Sequence, residues 1–293
     1  MRDKSNVQHL GSNQHRVAEF QTRSVVDVQM GKKVVYKYAM TPQAQSFIEA
    51  IVEREKKSRN YLEGHFDVLC GDLEEGRIRY DYLPYPCLLD KVRLCMQSVN
   101  FHEGQNLLEK YIHKIEALGK TETVPTKFLR FVADDGSCQS KVSCLRLGLL
   151  DLTPKNILVD GDRWIVIDSE WAFDFPIPVV FLLFRSMMEL SILLQGPIRK
   201  CTSRSNPAAA FFGTAIQTYY IPQIWMRYMS HPHIDLDQMA RWELGFQRYV
   251  AGPRINTVGR IKRCGQTRHS FSKVATINYM GIIRRIQRFA GCH

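Results

Sequence analysis

Apolar and polar positions alternate along GKKVVYKYAM, residues 31–40, as in a half-buried strand that turns one face to a core. Thr41 and Pro42 follow as an N-cap and a first helical residue. From there Phe47, Ile48, Ile51 and Val52 recur at helical spacing, which predicts an amphipathic helix over residues 44–62. FDVLCGDL (66–73), a turn at Glu75-Gly76 and RIRYDYL (77–83) read as a hairpin. It runs into Leu83-Pro84-Tyr85-Pro86, where two prolines make a stiff, non-helical connector. LLDKVRLCMQSV (88–99) and GQNLLEKYIHKIEAL (104–118) carry the pattern of amphipathic helices. A second hairpin is predicted from Ile157, Leu158 and Val159, the turn Asp160-Gly161-Asp162, and the apolar run 164–167.

That second hairpin brings chemistry together. It is preceded by Asp151 and Asn156 and followed by Asp168, so it draws Asn156 toward Asp168. Phosphoryl transfer from ATP needs an acceptor for the proton of the attacking hydroxyl and oxygen ligands for Mg²⁺ on the phosphates. Asp151 suits the first role, and Asn156 and Asp168 suit the second. The spacing Asp-x-x-x-x-Asn is that of a kinase catalytic loop, with Asp168 at the place of its metal-binding Asp. Taken alone, Asp and Asn also serve as capping side chains of an ordinary turn.

The rest of the chain supplies the other parts in order. Lys37 lies on the first strand and would face the phosphates, or else act as a solubilising lysine on a sheet edge. Glu49, Glu53 and Glu55 on the following helix are candidates to pair with Lys37, and Glu53, sixteen residues on, is the preferred one; alternatively all three solvate the outer face. The backbone of Asp81, Tyr82 and Leu83 would meet adenine at the connector. No G-x-G-x-x-G lies in the first forty residues, so a different loop, around residues 21–27, is expected to cover the phosphates.

Together these residues resemble a protein-kinase-like fold of the small-molecule branch, which includes choline kinases and aminoglycoside phosphotransferases. Asp168-Ser169-Glu170-Trp171 resembles their Asp-x-Glu-aromatic pattern more than Asp-Phe-Gly, and no Ala-Pro-Glu follows it as in protein kinases. A nearer resemblance is to kinase-like domains attached to bacterial methyltransferases and glycosyltransferases of surface-polysaccharide synthesis, including O-antigen chain-terminating enzymes. It rests on Phe20-Gln21-Thr22, residues 35–44, residues 151–178 and residues 243–250. The resemblance implies an α+β, two-lobed fold, with an N-lobe over residues 1–83 (a small antiparallel sheet and one helix), a mainly helical C-lobe over 84–252 and a basic extension over 253–293. It implies ATP and Mg²⁺ as cofactors, a sugar or glycolipid acceptor, and methyltransferase or glycosyltransferase partners. Glu170 and Trp171 would support the metal loop. Two departures, Leu149 in place of the catalytic-loop His and Thr153 in place of its Lys, leave a catalytically inactive module as the alternative.

Composition agrees with a globular protein able to bury a core: 45% of the 293 residues are hydrophobic and 24% charged. The N-terminal residues lack the apolar stretch of a signal peptide, and the run 177–184 is too short to span a membrane, so a cytoplasmic protein is expected. The eight cysteines form no CxxC pair, and His231-Pro232-His233 reads as a surface loop. Residues 241–293 hold eleven Lys or Arg against Glu243 alone, which carries +10 of the formal +11. Within 281–293, Ile282, Ile283, Ile286 and Phe289 interleave with Arg284, Arg285 and Arg288, as in a basic amphipathic helix. Such a helix would lie on an anionic membrane leaflet, dock on a partner or pack on the chain's own C-lobe. No nucleic-acid-binding motif accompanies the charge, and nucleic acid is not an expected partner.

Overall fold

The computed structural model describes residues 8–98, 101–134, 141–201 and 236–253. The first part of the chain forms β1 (Gln8–Ser12), β2 (Thr22–Gln29) and β3 (Lys32–Ala39), then α1 (Gln45–Leu62), then β4 (Asp67–Val68), β5 (Asp72–Glu74) and β6 (Arg77–Asp81). Five of these strands make one antiparallel sheet in the order β1-β2-β3-β6-β5. Two of its turns place consecutive residues at positive φ, Met30 (50°) with Gly31 (78°) and Glu75 (50°) with Gly76 (77°), which matches the right-handed twist of the strands they join. The Thr41 hydroxyl accepts from the Ala44 N–H at 3.2 Å and caps the short 3₁₀ turn Pro42–Ala44 that leads into α1.

Two expectations for this lobe need correction. Of residues 21–27, expected as a loop over the phosphates, all but Gln21 are strand: β2 pairs with β3 along its whole length, and the turn between them is Met30-Gly31. The segment 66–73 is split rather than one hairpin strand. Asp67 and Val68 pair in parallel with residues 165 and 166, far along the chain, and only Asp72–Glu74 pairs with β6. Gly71 joins the two pieces where a Cβ would lie 2.2 Å from Ile78 Cγ2, so no larger residue fits without displacing the Ile78 and Tyr80 side chains.

Residues 82–86 connect β6 to α2 (Leu88–Gln97) outside sheet and helix, as the two prolines dictate. The connector is stitched to the second lobe, since the Val159 N–H donates to the Pro86 carbonyl at 3.0 Å. After α2 come α3 (Phe101–Ala117), β7 (Lys120–Thr123), α4 (Thr126–Phe131), β8 (Lys141–Leu145) and β9 (Gly148–Leu149). Then follow β10 (Ile157–Asp160), β11 (Arg163–Val166), β12 (Ala172–Phe173), β13 (Ile177–Pro178), α5 (Val179–Cys201) and a last helix, here α6 (Leu236–Ala251). β10 and β11 form the predicted hairpin, with Gly161 at φ 59° in its turn. The apolar run 177–184 is strand at its first two residues and buried helix thereafter.

The architecture is the expected α+β, two-lobed one, with an antiparallel-sheet lobe beside a helical lobe. One core runs through both, from Ile48, Ile51 and Ile78 to Tyr111, Phe128, Phe181 and Trp242. Among the described residues no helix is long and apolar enough to cross a membrane. The four described cysteines whose side chains are placed, Cys70, Cys87, Cys95 and Cys144, are free thiols. His231, His233 and the basic segment 281–293 lie outside the described residues.

Candidate active site

Lys37 sits on β3, a central strand flanked by β2 and β6, and is buried, so it is not an edge-strand lysine. Its Nζ donates to Asp168 and, at 2.9 Å, to Glu170 Oε1. Burial by itself would lower the Lys37 pKa, but the two carboxylates outweigh it and hold the ammonium well above its usual range. Lys37 faces the site because β3 alternates: Val34 and Tyr36 belong to a small cluster on the other face of the sheet.

The ion pair expected between Lys37 and Glu53 is not formed. Glu53 lies on the exposed side of α1, and its carboxylate accepts from Lys56 Nζ at 2.9 Å. The buried stripe of α1 is Phe47, Ile48, Ile51, Val52, Glu55, Ser58 and Leu62, so helical periodicity puts Glu55 inside and Glu53 outside. Glu55 is fully buried and accepts from Tyr80 Oη (2.8 Å) and the Gly71 N–H (2.9 Å). Burial raises its carboxyl to about 7, against the pull of those two donors and of Lys37. Glu49 is exposed and accepts from Gln45 at 3.3 Å.

The partner of Lys37 is therefore Glu170, together with Asp168. Glu170 is buried, and its Oε1 also accepts from Thr22 Oγ1 (3.2 Å) while its Oε2 accepts from Arg16 (2.5 Å). Burial pushes its carboxyl up, yet Lys37 and Arg16 together hold it at about 2. The backbone at this point is unusual: Asp168 has φ 61°, a left-handed conformation that a non-glycine residue adopts at a cost of about 1 kcal/mol or more. That twist, followed by Glu170, turns both carboxylates toward Lys37.

The loop 150–156 lies against the same segment. The Leu150 N–H donates to the Trp171 carbonyl (3.0 Å), and the Trp171 N–H donates to Asp151 Oδ2 (3.0 Å). From below, Tyr111 of α3 donates to the Leu152 carbonyl at 2.8 Å. Asp151 is half-buried; burial first, then the negative charges of Asp168 and Glu170, raise its carboxyl to about 7. Asn156 is buried, and its Nδ2 donates to the Asp151 carbonyl at 3.0 Å, which leaves Oδ1 as the amide atom outside that bond.

Asp168 and Asn156 thus offer a carboxylate and an amide oxygen, the hard oxygen donors that Mg²⁺ takes. Among the described residues no group of three His, Cys, Asp or Glu gathers to cage a metal. A pair of protein oxygens completed by phosphate and water is what Mg²⁺ uses at phosphoryl-transfer sites, so this donor set fits that ion.

Asp81, expected to meet adenine with Tyr82 and Leu83, closes β6 opposite Val34, while Tyr82 and Leu83 follow outside the sheet. Three strand positions separate Val34 from Lys37, about 10 Å along β3. Lys33 Nζ lies 5.0 Å from the Tyr82 ring centroid. Asp151, Asn156, Asp168 and Lys37 are brought together, Asp81 to Leu83 stand one strand-length away, and Glu53 is outside. Glu170 as the carboxylate of Lys37, Arg16 and Thr22 were not found from sequence. Glu170 follows Asp168 by only two positions, which is a usable signal, whereas Arg16 lies 154 residues from Glu170 and has none.

No family model and no curated protein matches the chain. Among solved structures it is similar to a thermostable mutant of aminoglycoside phosphotransferase APH(4)-Ia in its apo form: identity 12%, 99% of this chain and 96% of that chain covered, TM-score 0.44. It is similar also to choline kinase LicA from Streptococcus pneumoniae, at 13% identity with 97% and 93% covered and a TM-score of 0.37. Macrolide 2'-phosphotransferase MphH from Brachybacterium faecium, an apoenzyme, gives 12% identity, 86% and 92% covered, and a TM-score of 0.36. At such scores the chemistry of this site stands on the chain's own residues.

Proposed function

We propose that the chain is an ATP-dependent phosphotransferase that acts on a hydroxyl group. The observation that carries this reading is the convergence of Lys37, Asp168, Glu170, Asp151 and Asn156 from three separate segments into one hydrogen-bonded cluster. Lys37 would bind the α and β phosphates, held by Glu170. Asp151, oriented by the Trp171 N–H and with a carboxyl raised to about 7, would take the proton of the attacking hydroxyl. Asp168 and Asn156 would hold Mg²⁺, which when bound supplies charge neutralisation on the transferring phosphoryl group. The backbone of Asp81 to Leu83 would meet adenine.

The acceptor class we infer is a sugar or glycolipid of bacterial surface-polysaccharide assembly. What supports it is the resemblance of residues 151–178 to kinase-like domains of O-antigen enzymes, and partnership with methyltransferases or glycosyltransferases is proposed on the same ground. Contact of residues 281–293 with an anionic membrane, which would place the protein at the inner face of that membrane, rests on their alternating isoleucines and arginines alone.

The test is nucleotide binding and turnover with Mg²⁺. The wild type is expected to bind MgATP and to transfer phosphate, and Asp168→Ala to lose the Mg²⁺-dependent part while still folding. Metal-dependent turnover that persists in a folded Asp168→Ala protein sinks the assignment. Binding without turnover on any hydroxyl acceptor would favour a non-catalytic, nucleotide-binding module.

A further inference from the structure

Residues 13–21 run from β1 to β2 across the junction of the lobes. The Val17 N–H donates to the Val250 carbonyl at the end of α6 (3.1 Å), and Thr41 Oγ1 donates to the Ala18 carbonyl (2.6 Å). The Phe20 ring packs against Trp171 (5.0 Å), Phe47 (5.0 Å) and Tyr249 (5.2 Å). A strap held on both lobes in this way fixes where Arg16 points. Its guanidinium lies over the Trp171 ring at 5.2 Å, donates to the Phe20 carbonyl at 3.4 Å and meets Glu170 Oε2. The side chains of the pair are only 11% and 2% exposed, so this is a desolvated contact and not a loose surface ion pair.

We infer that Arg16 is a positioning residue for nucleotide binding, which takes up the charge of Glu170 so that Lys37 stays available to phosphate. The inference rests on the phosphotransferase reading above. A lone lysine between Asp168 and Glu170 would have its charge spent on them. Arg16 makes the count two cations to two carboxylates. If Asp168 held a metal, Lys37 would keep one carboxylate neighbour, already shared with Arg16, and would retain net attraction for phosphate. The planar guanidinium, pinned by Trp171 and the Phe20 carbonyl, also fixes the Glu170 rotamer so that Oε1 faces Lys37 and Thr22. Without Arg16, Oε2 would be buried without a donor and Lys37 would be drawn across both oxygens.

Calorimetric affinities for MgATP and for adenosine, measured on the full chain as wild type, Arg16→Gln, Arg16→Lys, Glu170→Gln and the double variant, test this. Arg16→Gln is expected to weaken MgATP by roughly tenfold or more, the scale of losing one partner of a buried charge pair, with adenosine affinity unchanged. Arg16→Lys should restore part of the loss, because it keeps the charge without the fork. In the Glu170→Gln background the Arg16 change should matter little, since the effect runs through Glu170. An Arg16→Gln protein with wild-type MgATP affinity, an equal loss for adenosine and MgATP, or full additivity with Glu170→Gln would each overturn the inference. If Arg16→Gln does not fold, Arg16→Lys carries the test, and wild-type MgATP affinity in that variant would be evidence against the fork. A wild type that binds no MgATP would overturn the phosphotransferase reading itself, and the role of Arg16 with it.

Discussion

Glu170 and Asp151 are carboxylates of one hydrogen-bonded loop system, separated by a single backbone contact through Trp171, yet their surroundings are opposite. Glu170 lies at the N-lobe end with two cations, Lys37 and Arg16, and is held at about 2. Asp151 lies at the C-lobe end with two anionic neighbours, Asp168 and Glu170, and is raised to about 7. Burial pushes both upward; Lys37 and Arg16, by charge and by hydrogen bond, pull Glu170 down, whereas the negative charges of Asp168 and Glu170 push Asp151 further up against the smaller pull of Lys155 and Arg16. A fixed anion on one side of Trp171 and a group with a carboxyl near neutrality on the other is the division of labour that acid–base chemistry asks of two carboxylates. On the proposed function, the end at Glu170 would bind phosphate and the end at Asp151 would take the proton.

The largest effect expected from this contrast is on turnover. Asp151→Asn keeps the acceptor for the Trp171 N–H and removes only the base, so phosphate transfer should fall by a factor on the order of 10² to 10⁴ with MgATP affinity nearly unchanged. Glu170→Gln should do the reverse, with its loss appearing mainly in MgATP affinity. Steady-state kinetics beside calorimetry separate the two. Equal splits between affinity and rate in both variants would break the comparison.

Stability sharpens it further, because the two signs differ. Glu170 has a folded pKa below its unfolded value, so its stabilising contribution is present above about pH 4 and is lost as pH falls toward 2. Asp151 has a folded pKa above its unfolded value, so its ionisation costs stability progressively as pH rises from about 4 to 7. At pH 8, Glu170→Gln should therefore destabilise by about 3 kcal/mol, since it strands two buried cations. Asp151→Asn should stabilise by about 1 kcal/mol, a figure discounted for its partial exposure. Denaturant unfolding at pH 8 reads both, and a destabilised Asp151→Asn protein would count against the charge argument.

Much of the cleft was legible in the chain because its parts are local. Alternating apolar residues around Gly161 make the β10–β11 hairpin, and that hairpin alone brings Asn156 to Asp168. Lys37 was legible from the alternation of β3. What escaped is what depends on distant pairing: β4 joins β11 through two residues, and Arg16 meets Glu170 from 154 residues away in the chain. Glu55 is a different case. It continues the stripe of Ile51 and Val52 at helical spacing, but a carboxylate on an apolar stripe is set aside unless its donors, here Tyr80 and Gly71, are known. The covering loop expected at residues 21–27 failed because Val25 and Val26 take strand pairing with β3.

Glu55 extends the contrast as a third carboxylate: burial raises its carboxyl to about 7 with only a small addition from Asp168, against the pull of Gly71, Tyr80 and Lys37. Its folded value lies above the unfolded one, so wild-type stability should decline between about pH 4.5 and 7 partly on its account. Glu55→Gln keeps an acceptor for the Gly71 N–H and should flatten that decline, with a gain of up to about 2 kcal/mol at pH 8 and little change at pH 5. Unfolding free energies at the two pH values measure it. A parallel shift at both would mean that the hydrogen bonds to Tyr80 and Gly71, and not the proton, dominate.

The smallest effect belongs to Glu53, two residues away on the opposite side of α1. Its carboxylate meets only the exposed Lys56, and surface pairs of this kind are screened by water and salt. Glu53→Gln should leave MgATP affinity, turnover and melting temperature within experimental scatter of the wild type. The variant matters because it separates two geometries of the cleft. If Lys37 is held by Glu170 from the C-lobe side, neutralising Glu53 changes nothing; if α1 were to rotate and bring Glu53 inward when nucleotide binds, MgATP affinity would fall while adenosine affinity stayed. A selective loss of that kind would show that the pairing of Lys37 moves from one lobe to the other during the reaction cycle.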